Sequence, residues 1–272
     1  MNIDHVATLR QARYPSKGGA GASAESMAEP DVIRAAHESE LGGAACITAH
    51  LREDRRHVVD RDIERLAETV RVKFNLEMAA TDEMVGIAEV IRPHMATLVP
   101  EGRMEVTTEG GLSVDKQTDR LTAVVARLKA SGVSASAFVD PDEQQIAAAA
   151  QCGFAWVELH TGPYAHAWFR AGGDIREPRL KQEMHRLVRA SEVCRDRGVA
   201  LNVGHAINYD NVGPVARLDG LQELHIGHAI VARAVYTGLR AAVAQMGEAI
   251  GVREGGSVVV AGWEAAGAVK GG

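Results

Sequence analysis

Residues 50–57, His-Leu-Arg-Glu-Asp-Arg-Arg-His, directly follow the apolar run Ala44-Ala45-Cys46-Ile47-Thr48-Ala49. Two histidines and three arginines at the end of a buried strand suit an anionic ligand that exchanges protons. Arginine presents a rigid fork of donors matched to phosphate or carboxylate. Histidine carries a proton that moves near neutral pH. Glu53, Asp54 and some of the arginines also fit the solvated opening of a following helix, whereas His50 sits directly on the strand end.

Groups of the same kind close other apolar runs. Strand ends carry Asp4 and His5, Glu77, Pro100-Glu101 with Thr107 further along that loop, Asp140, Glu158 and His160, His205, and Gly227-His228. Asp140 reads as a helix cap in Asp140-Pro141-Asp142-Glu143. His5 and His160 read equally well as satisfied core residues. The rest describe a general acid–base site. A carboxylate held among histidines at a water-poor mouth should there have a raised pKa.

Two sites for phosphate accompany it. Gly204-His205-Ala206 and Gly227-His228-Ala229 each precede a predicted helix and can offer backbone N–H groups to an anion. Arg52, Arg55, Arg56 and His57, with Thr107, form the second. Two anion sites at one acid–base mouth predict two phosphorylated substrates or one bisphosphate. No lysine ends a strand (Lys73 begins one), which argues against Schiff-base chemistry, and no nucleophile elbow is present. His50, Glu77, Glu158, His160 and His205 are competent metal ligands, but no His-x-His or His-Glu-x-x-His spacing occurs, so no metal site is expected.

These groups need a scaffold that gathers strand ends. Strands are predicted at 2–7, 44–49, 73–78, 95–99, 134–139, 155–160, 199–203 and 222–226, with helical spacing between them, as at Met84, Ile87, Ala88 and Ile91. The order and size match an α/β fold of one domain, a parallel eight-stranded (β/α)8 TIM barrel over residues 1–246. An open doubly wound sheet is the alternative, but no Gly-x-Gly-x-x-Gly turn follows the first strand. Residues 14–30 read as a flexible insertion and 247–272 as a glycine-rich tail.

The formal net charge of −6 argues against nucleic acid as a partner. No apolar stretch approaches the ~18 residues of a membrane span. Three separated cysteines and an N-terminus without signal-peptide order predict a reduced, cytoplasmic protein.

Asn2-Ile-Asp-His-Val-Ala-Thr-Leu-Arg10, residues 50–57, Asn75-Leu-Glu-Met78, Val99-Pro-Glu, Glu105-Val-Thr-Thr-Glu-Gly-Gly111, Glu158-Leu-His-Thr-Gly162, Asn202-Val-Gly-His205 and Ile226-Gly-His-Ala-Ile230 together resemble the pyridoxine 5′-phosphate synthase family. The resemblance implies a (β/α)8 barrel. The reaction it implies condenses 3-amino-2-oxopropyl phosphate with 1-deoxy-D-xylulose 5-phosphate to pyridoxine 5′-phosphate, phosphate and water, with no metal or organic cofactor. By the same resemblance His50, Glu77 and His205 are acid–base residues and Glu158 stabilises a transition state. Asn2, Arg13, Ala206, Gly227 and His228 hold the aminoketone phosphate; Asp4, His5, Arg52, His57 and Thr107 hold the deoxyxylulose phosphate. The family also forms ring-like homo-octamers.

Three departures stand out. Members carry residues before Asn-Ile-Asp-His, whereas Met1 directly precedes Asn2, implying an upstream start or a short first strand. Glycine is usual where Ala206 stands, and the 14–30 insertion adjoins Arg13. The loop 100–111 is expected to act as a lid. The competing functions are a metal-dependent aldolase or epimerase barrel acting on a phosphorylated sugar, and a barrel that only binds phosphometabolites.

Overall fold

A computed structural model describes residues 1–15, 28–101 and 110–251. Most of the expected 14–30 insertion, Thr107, the central part of the expected lid and the tail beyond 251 lie outside the described residues. The elements run α1 (Asp4–Arg13), α2 (Val32–Leu41), β1 (Cys46–His50), α3 (Asp60–Thr69), β2 (Lys73–Met78), α4 (Asp82–Ile91), β3 (Met95–Leu98), α5 (Thr118–Ala130) and β4 (Ser134–Val139). They continue with α6 (Glu143–Cys152), β5 (Trp156–His160), α7 (Gly162–Arg170), α8 (Pro178–Arg197), β6 (Ala200–Gly204), α9 (Val212–Val215), β7 (Leu221–His225), α10 (His228–Thr237) and α11 (Leu239–Ile250).

The seven strands form one curled sheet in the order β1 to β7, every neighbouring pair parallel. This α/β arrangement is the TIM-like pattern. Successive parallel strands need a crossover, and the helices between them supply it. Seven strands fall close to the predicted ranges. The expected strand at 2–7 does not form: Asn2 makes an isolated parallel bridge to Thr48, and Asp4 opens a helix. Ile3, Val6, Ala7 and Arg10 are all buried, at i, i+3, i+4 and i+7. That is helical spacing, which a short run of mixed polarity conceals. Residues 1–3 still bond to both edges of the sheet. The Asn2 N–H donates to the Ile226 carbonyl at 2.9 Å, the Ile3 N–H to Thr48 at 3.0 Å, and the Thr48 N–H to Met1 at 2.8 Å.

The two faces of the sheet differ by the period-2 alternation of strand side chains. Ile47, Ala49, Leu76, Ala96, Leu98, Val157 and Val203 are fully buried against the helices. The alternate positions are polar and also buried: Thr48, His50, Asn75, Thr97, Ser136, Glu158, Asn202 and His225. Thr97 Oγ1 donates to Asn75 Oδ1 at 2.9 Å, and Asn75 Nδ2 reaches Thr48 Oγ1 at 3.4 Å. The concave interior is therefore polar and leads directly to the strand ends.

Two expected helix boundaries move. The cap of α6 is Asp142, whose carboxylate accepts from the N–H groups of Gln144 and Gln145; Asp140 is free for another role. The expected last helix, about 228–246, is broken at Gly238 (φ +79°), and its second half extends to Ile250. Among the described residues no helix is long and apolar enough to cross a membrane. Cys46, Cys152 and Cys194 are free thiols, all buried.

Candidate active site

The strand ends open into a cavity of about 380 Å³. Of the residues singled out from sequence, Asn2, Asp4, His5, His50, Arg52, His57, Glu77, Glu158, His205, Ala206, Gly227 and His228 all line it. Arg13 does not: it lies exposed at the end of α1, its guanidinium 5.5 Å from the Tyr14 ring centre. Arg55 and Arg56 also stand outside. Arg55 is bound by Asp60 and Glu83, and Arg56 by Asp54. Arg52 is the arginine that turns inward, almost fully buried.

The N-terminal segment organises one side. Asn2 Oδ1 accepts from the Asp4 N–H at 2.8 Å, and Asp4 Oδ1 accepts from the His50 N–H at 2.8 Å. Arg10 forks onto Asp62 at 2.6 and 2.8 Å and, with Gln11, donates to the His57 carbonyl. Helix α1 therefore fixes the loop that carries Arg52 and His57. His50 Nε2 bonds Glu101 Oε1 at 2.9 Å, while Glu101 Oε2 accepts from the Glu53 N–H at 3.1 Å. Burial alone would raise the Glu101 pKa; the His50 contact and the Glu53 N–H outweigh it and hold the carboxyl below its ordinary range.

Glu77 ends in the cavity with weak partners, Asn2 Nδ2 at 3.4 Å and His50 Nδ1 at 3.9 Å. Burial, then the nearby Asp4 and Glu158 carboxylates, push its pKa well above the usual carboxylate range. Glu158 is bound differently. Its Oε2 receives His225 Nδ1 at 2.6 Å, and a Cβ at Gly204 would lie 2.1 Å from its Oε1. Only glycine at 204 leaves room for this carboxylate.

The turn after β6 carries the second histidine. His205 (φ +75°) and Ala206 (φ +58°) are consecutive left-handed residues, a conformation that costs non-glycine residues energy unless the surroundings enforce it. The Thr161 hydroxyl lies between the Gly204 and His205 carbonyl oxygens, and Asn211 Nδ2 donates to the Ala206 carbonyl at 3.1 Å. No helix follows directly, contrary to the sequence reading; α9 begins at Val212. The His205 ring meets His160 edge-on with centroids 4.9 Å apart, and His160 Nδ1 bonds Asp140 at 2.9 Å. Burial first, then His160, lower the His205 pKa to about 4.

Across the mouth, Gly227 does precede a ten-residue helix, α10, whose N-terminus faces the cavity at His228. His228 packs edge-on against His5 at 4.9 Å, and burial together with His228 lowers the His5 pKa.

Two residues escaped the sequence reading. His225 lies inside the apolar-looking 222–226 run and bonds both Glu158 and, through Nε2 at 3.2 Å, Glu223. Lys73 Nζ binds the other Glu223 oxygen. The available signal was the alternation Glu223-x-His225, the same period that places Glu158 and His160.

Among the described residues three clusters bring metal-competent atoms within 4.8 Å of one another: Asp4, His50 and His57; Cys46, Glu223 and His225; Glu77, Glu158 and His225. His225 belongs to two of them, and each of its ring nitrogens already lies within hydrogen-bond distance of a carboxylate, Nδ1 of Glu158 and Nε2 of Glu223.

A family model described as pyridoxal phosphate biosynthesis protein PdxJ matches residues 1–252. The chain belongs to the PdxJ family. It is 55% identical over 246 residues to the pyridoxine 5′-phosphate synthase of Azoarcus sp. (strain BH72), covering 90% of this chain and 94% of that one. With the enzyme of the same name from Aromatoleum aromaticum it shares 56% identity over 90% of this chain and 93% of the relative. Solved structures extend the likeness in fold alone. Thiamine phosphate pyrophosphorylase from Pyrococcus furiosus superposes with a TM-score of 0.52 at 15% identity, covering 80% of this chain and 88% of that one. A putative fructose-1,6-biphosphate aldolase from Coccidioides immitis gives 0.52 at 15%, covering 82% and 86%.

Proposed function

We propose that this PdxJ-family chain is a pyridoxine 5′-phosphate synthase whose reaction takes place in the cavity at the strand ends. It joins 3-amino-2-oxopropyl phosphate to 1-deoxy-D-xylulose 5-phosphate and releases phosphate and water. The observation that carries this reading is the convergence on one cavity of Glu77, whose pKa burial raises well above the usual carboxylate range, of Glu158, fixed by His225, and of His205, whose pKa burial lowers to about 4.

The substrate amine attacks the partner's ketone, forming the C–N bond, and Glu77 gives its proton to the oxygen that develops negative charge. Loss of water then leaves an imine. His205, neutral across the physiological range, takes protons from carbon as the chain of double bonds moves towards the ring; His50, oriented by Glu101, exchanges protons on the other side. Glu158, fixed by His225, stabilises the charge that develops in the transition state. The ring closes by a carbon–carbon bond to the aminoketone's own carbonyl carbon, whose oxygen leaves as water, and phosphate is eliminated from the deoxyxylulose part. These are condensations, proton transfers, eliminations and additions of water, so no oxidant or reductant is needed. Gly227, His228 and Asn2 hold one phosphate at the N-terminus of α10, and Arg52 with His57, Asp4 and His5 holds the other substrate. Arg13, exposed at the end of α1, and Thr107 belong to the same assignment.

Residues 1–3 serve as the eighth stave of a closed (β/α)8 barrel within one domain, 1–246. Copies of the chain assemble through exposed apolar residues such as Leu9, Val235 and Tyr236.

Incubation with both phosphates should yield pyridoxine 5′-phosphate. Glu77→Gln should reduce turnover by ~100-fold or more, the scale of a positioned acid. Wild-type turnover in that variant would remove Glu77 from the mechanism. Loss of activity on chelation, with stoichiometric metal in the purified protein, would favour the metal-dependent reading.

A further inference from the structure

Glu77 from β2 and Glu158 from β5 meet His225 from β7 so closely that one donor atom of each lies within 4.8 Å of the others. Two carboxylates in one buried site do not both ionise without cost, so one tends to keep a proton. Their surroundings are unequal. Glu158 has a strong partner in His225 Nδ1 at 2.6 Å and is pressed over the bare backbone of Gly204. Glu77 has only the long contacts to Asn2 and His50. His225 is itself anchored from behind: Nε2 lies 3.2 Å from Glu223, and Glu223 is bound by Lys73 at the opposite end of the strands.

We propose that His225 is a positioning residue that holds Glu158 as a carboxylate and thereby leaves the proton of the pair on Glu77. Acid and anion are then assigned before any substrate enters. The proposal rests on the cavity being the reaction site.

An imidazole can donate to two carboxylates at once only when both of its nitrogens carry a proton. Burial opposes that charge, but Glu158 and Glu223 overcome it and raise the His225 pKa well above its ordinary value. The groups facing this centre come from every neighbouring element. Cys46 of β1 is nearby, its thiol pushed up by burial and so uncharged. The Met1 amino group donates to the Cys46 carbonyl at 2.7 Å, and burial lowers its pKa. Glu77 and Lys73 face it from β2, Glu158 from β5 and Glu223 from β7 itself, while Asp4 acts on Glu77 from the start of α1. Among these, His225 is the cation in contact with Glu158.

His225→Asn separates position from charge, because the amide can still donate one hydrogen bond to Glu158. The acid limb of the kcat/KM profile should move up by about one to three pH units, the usual effect of removing a cation from a carboxylate. Near neutrality kcat should fall about tenfold or more, with each KM within about threefold. A uniform loss at all pH values, with the limb unmoved, overturns the proposal. A second measurement needs neither turnover nor a foldable variant. In protein labelled with 15N-histidine, both ring nitrogens of His225 should remain protonated from pH 5 to 8, and a nitrogen lacking its proton at pH 7 overturns the proposal. Glu223→Gln supports the assignment by making that ring titrate at lower pH. Absence of pyridoxine 5′-phosphate from the wild-type reaction would instead remove the functional reading, and the nitrogen signals would still report whether the ion pair exists.

Discussion

The tripeptide Gly-His-Ala occurs twice at the mouth of the cavity and does two different things. At 227–229 the glycine precedes α10, and the turn offers the N-terminus of a ten-residue helix to the cavity. At 204–206 the chain makes two left-handed residues in a row, and His205 is thrust among His160, Phe138 and Glu158. Residue types are the same; the neighbours are not. Thr161 and Asn211 clamp the carbonyls of the second turn, while the first continues into backbone hydrogen bonds of α10. In the proposed reaction one turn binds by its backbone and the other acts by its side chain.

The widest separation between the two should come from their histidines. His205→Asn removes the base but suits the left-handed backbone, because asparagine tolerates positive φ. Its kcat should fall by ~100-fold or more. His228→Ala should act mainly on KM for one phosphate, with kcat within about tenfold. Steady-state kinetics with each substrate varied in turn would show this, and equal losses of kcat would erase the distinction. In the wild-type, a His205 pKa of about 4 keeps the ring neutral above pH 5. The sign for stability follows. Because the folded pKa lies below the unfolded value, stability is present above about pH 6.5 and is lost as pH falls towards 4.

The glycines should differ next. A methyl group at 204 would lie 2.1 Å from Glu158 Oε1, whereas at 227 it meets Asn2 at 3.1 Å. Gly204→Ala must displace a carboxylate already held by His225, and turnover should fall by about tenfold or more. Gly227→Ala asks the neighbour for a few tenths of an ångström and should change kcat by less than about threefold. The reverse order would mean that Glu158 is not held where the geometry puts it.

The smallest effects concern the clamp. Thr161→Val removes a buried hydroxyl from two carbonyls and should cost about 1–3 kcal/mol in chemical denaturation. Ala206→Gly relieves a left-handed alanine, but the looser unfolded chain offsets part of the gain. A rise in Tm of about 2 °C or less is expected, with kcat unchanged within about twofold. A large loss of activity in that variant would give the Ala206 methyl group a role of its own.

Much of this was legible beforehand, for reasons that separate cleanly. Apolar runs of strand length, broken by glycines and helical repeats, located seven of the strands, because burial on both sides of a parallel sheet demands such runs. Chemistry at strand ends was readable for His50, Glu77 and Glu158, since each closes or nearly closes its run. The first expected strand, at 2–7, fails where Ile3, Val6, Ala7 and Arg10 follow the helical period instead. Asp140 was read as a cap, yet it orients His160, because two aspartates compete within three residues and only coordinates show which one meets the N–H groups.

By itself the sequence determined composition, period and the residues available at each strand end, and these are local properties. Which arginine turns inward, which carboxylate meets a histidine and which glycine turn becomes a helix were decided by contacts between residues far apart in the chain. Arg55 is held outside by Asp60 and Glu83, and Glu158 meets His225 across 67 positions. Charge and proton location depend on distance and burial, and neither quantity exists until the sheet has curled.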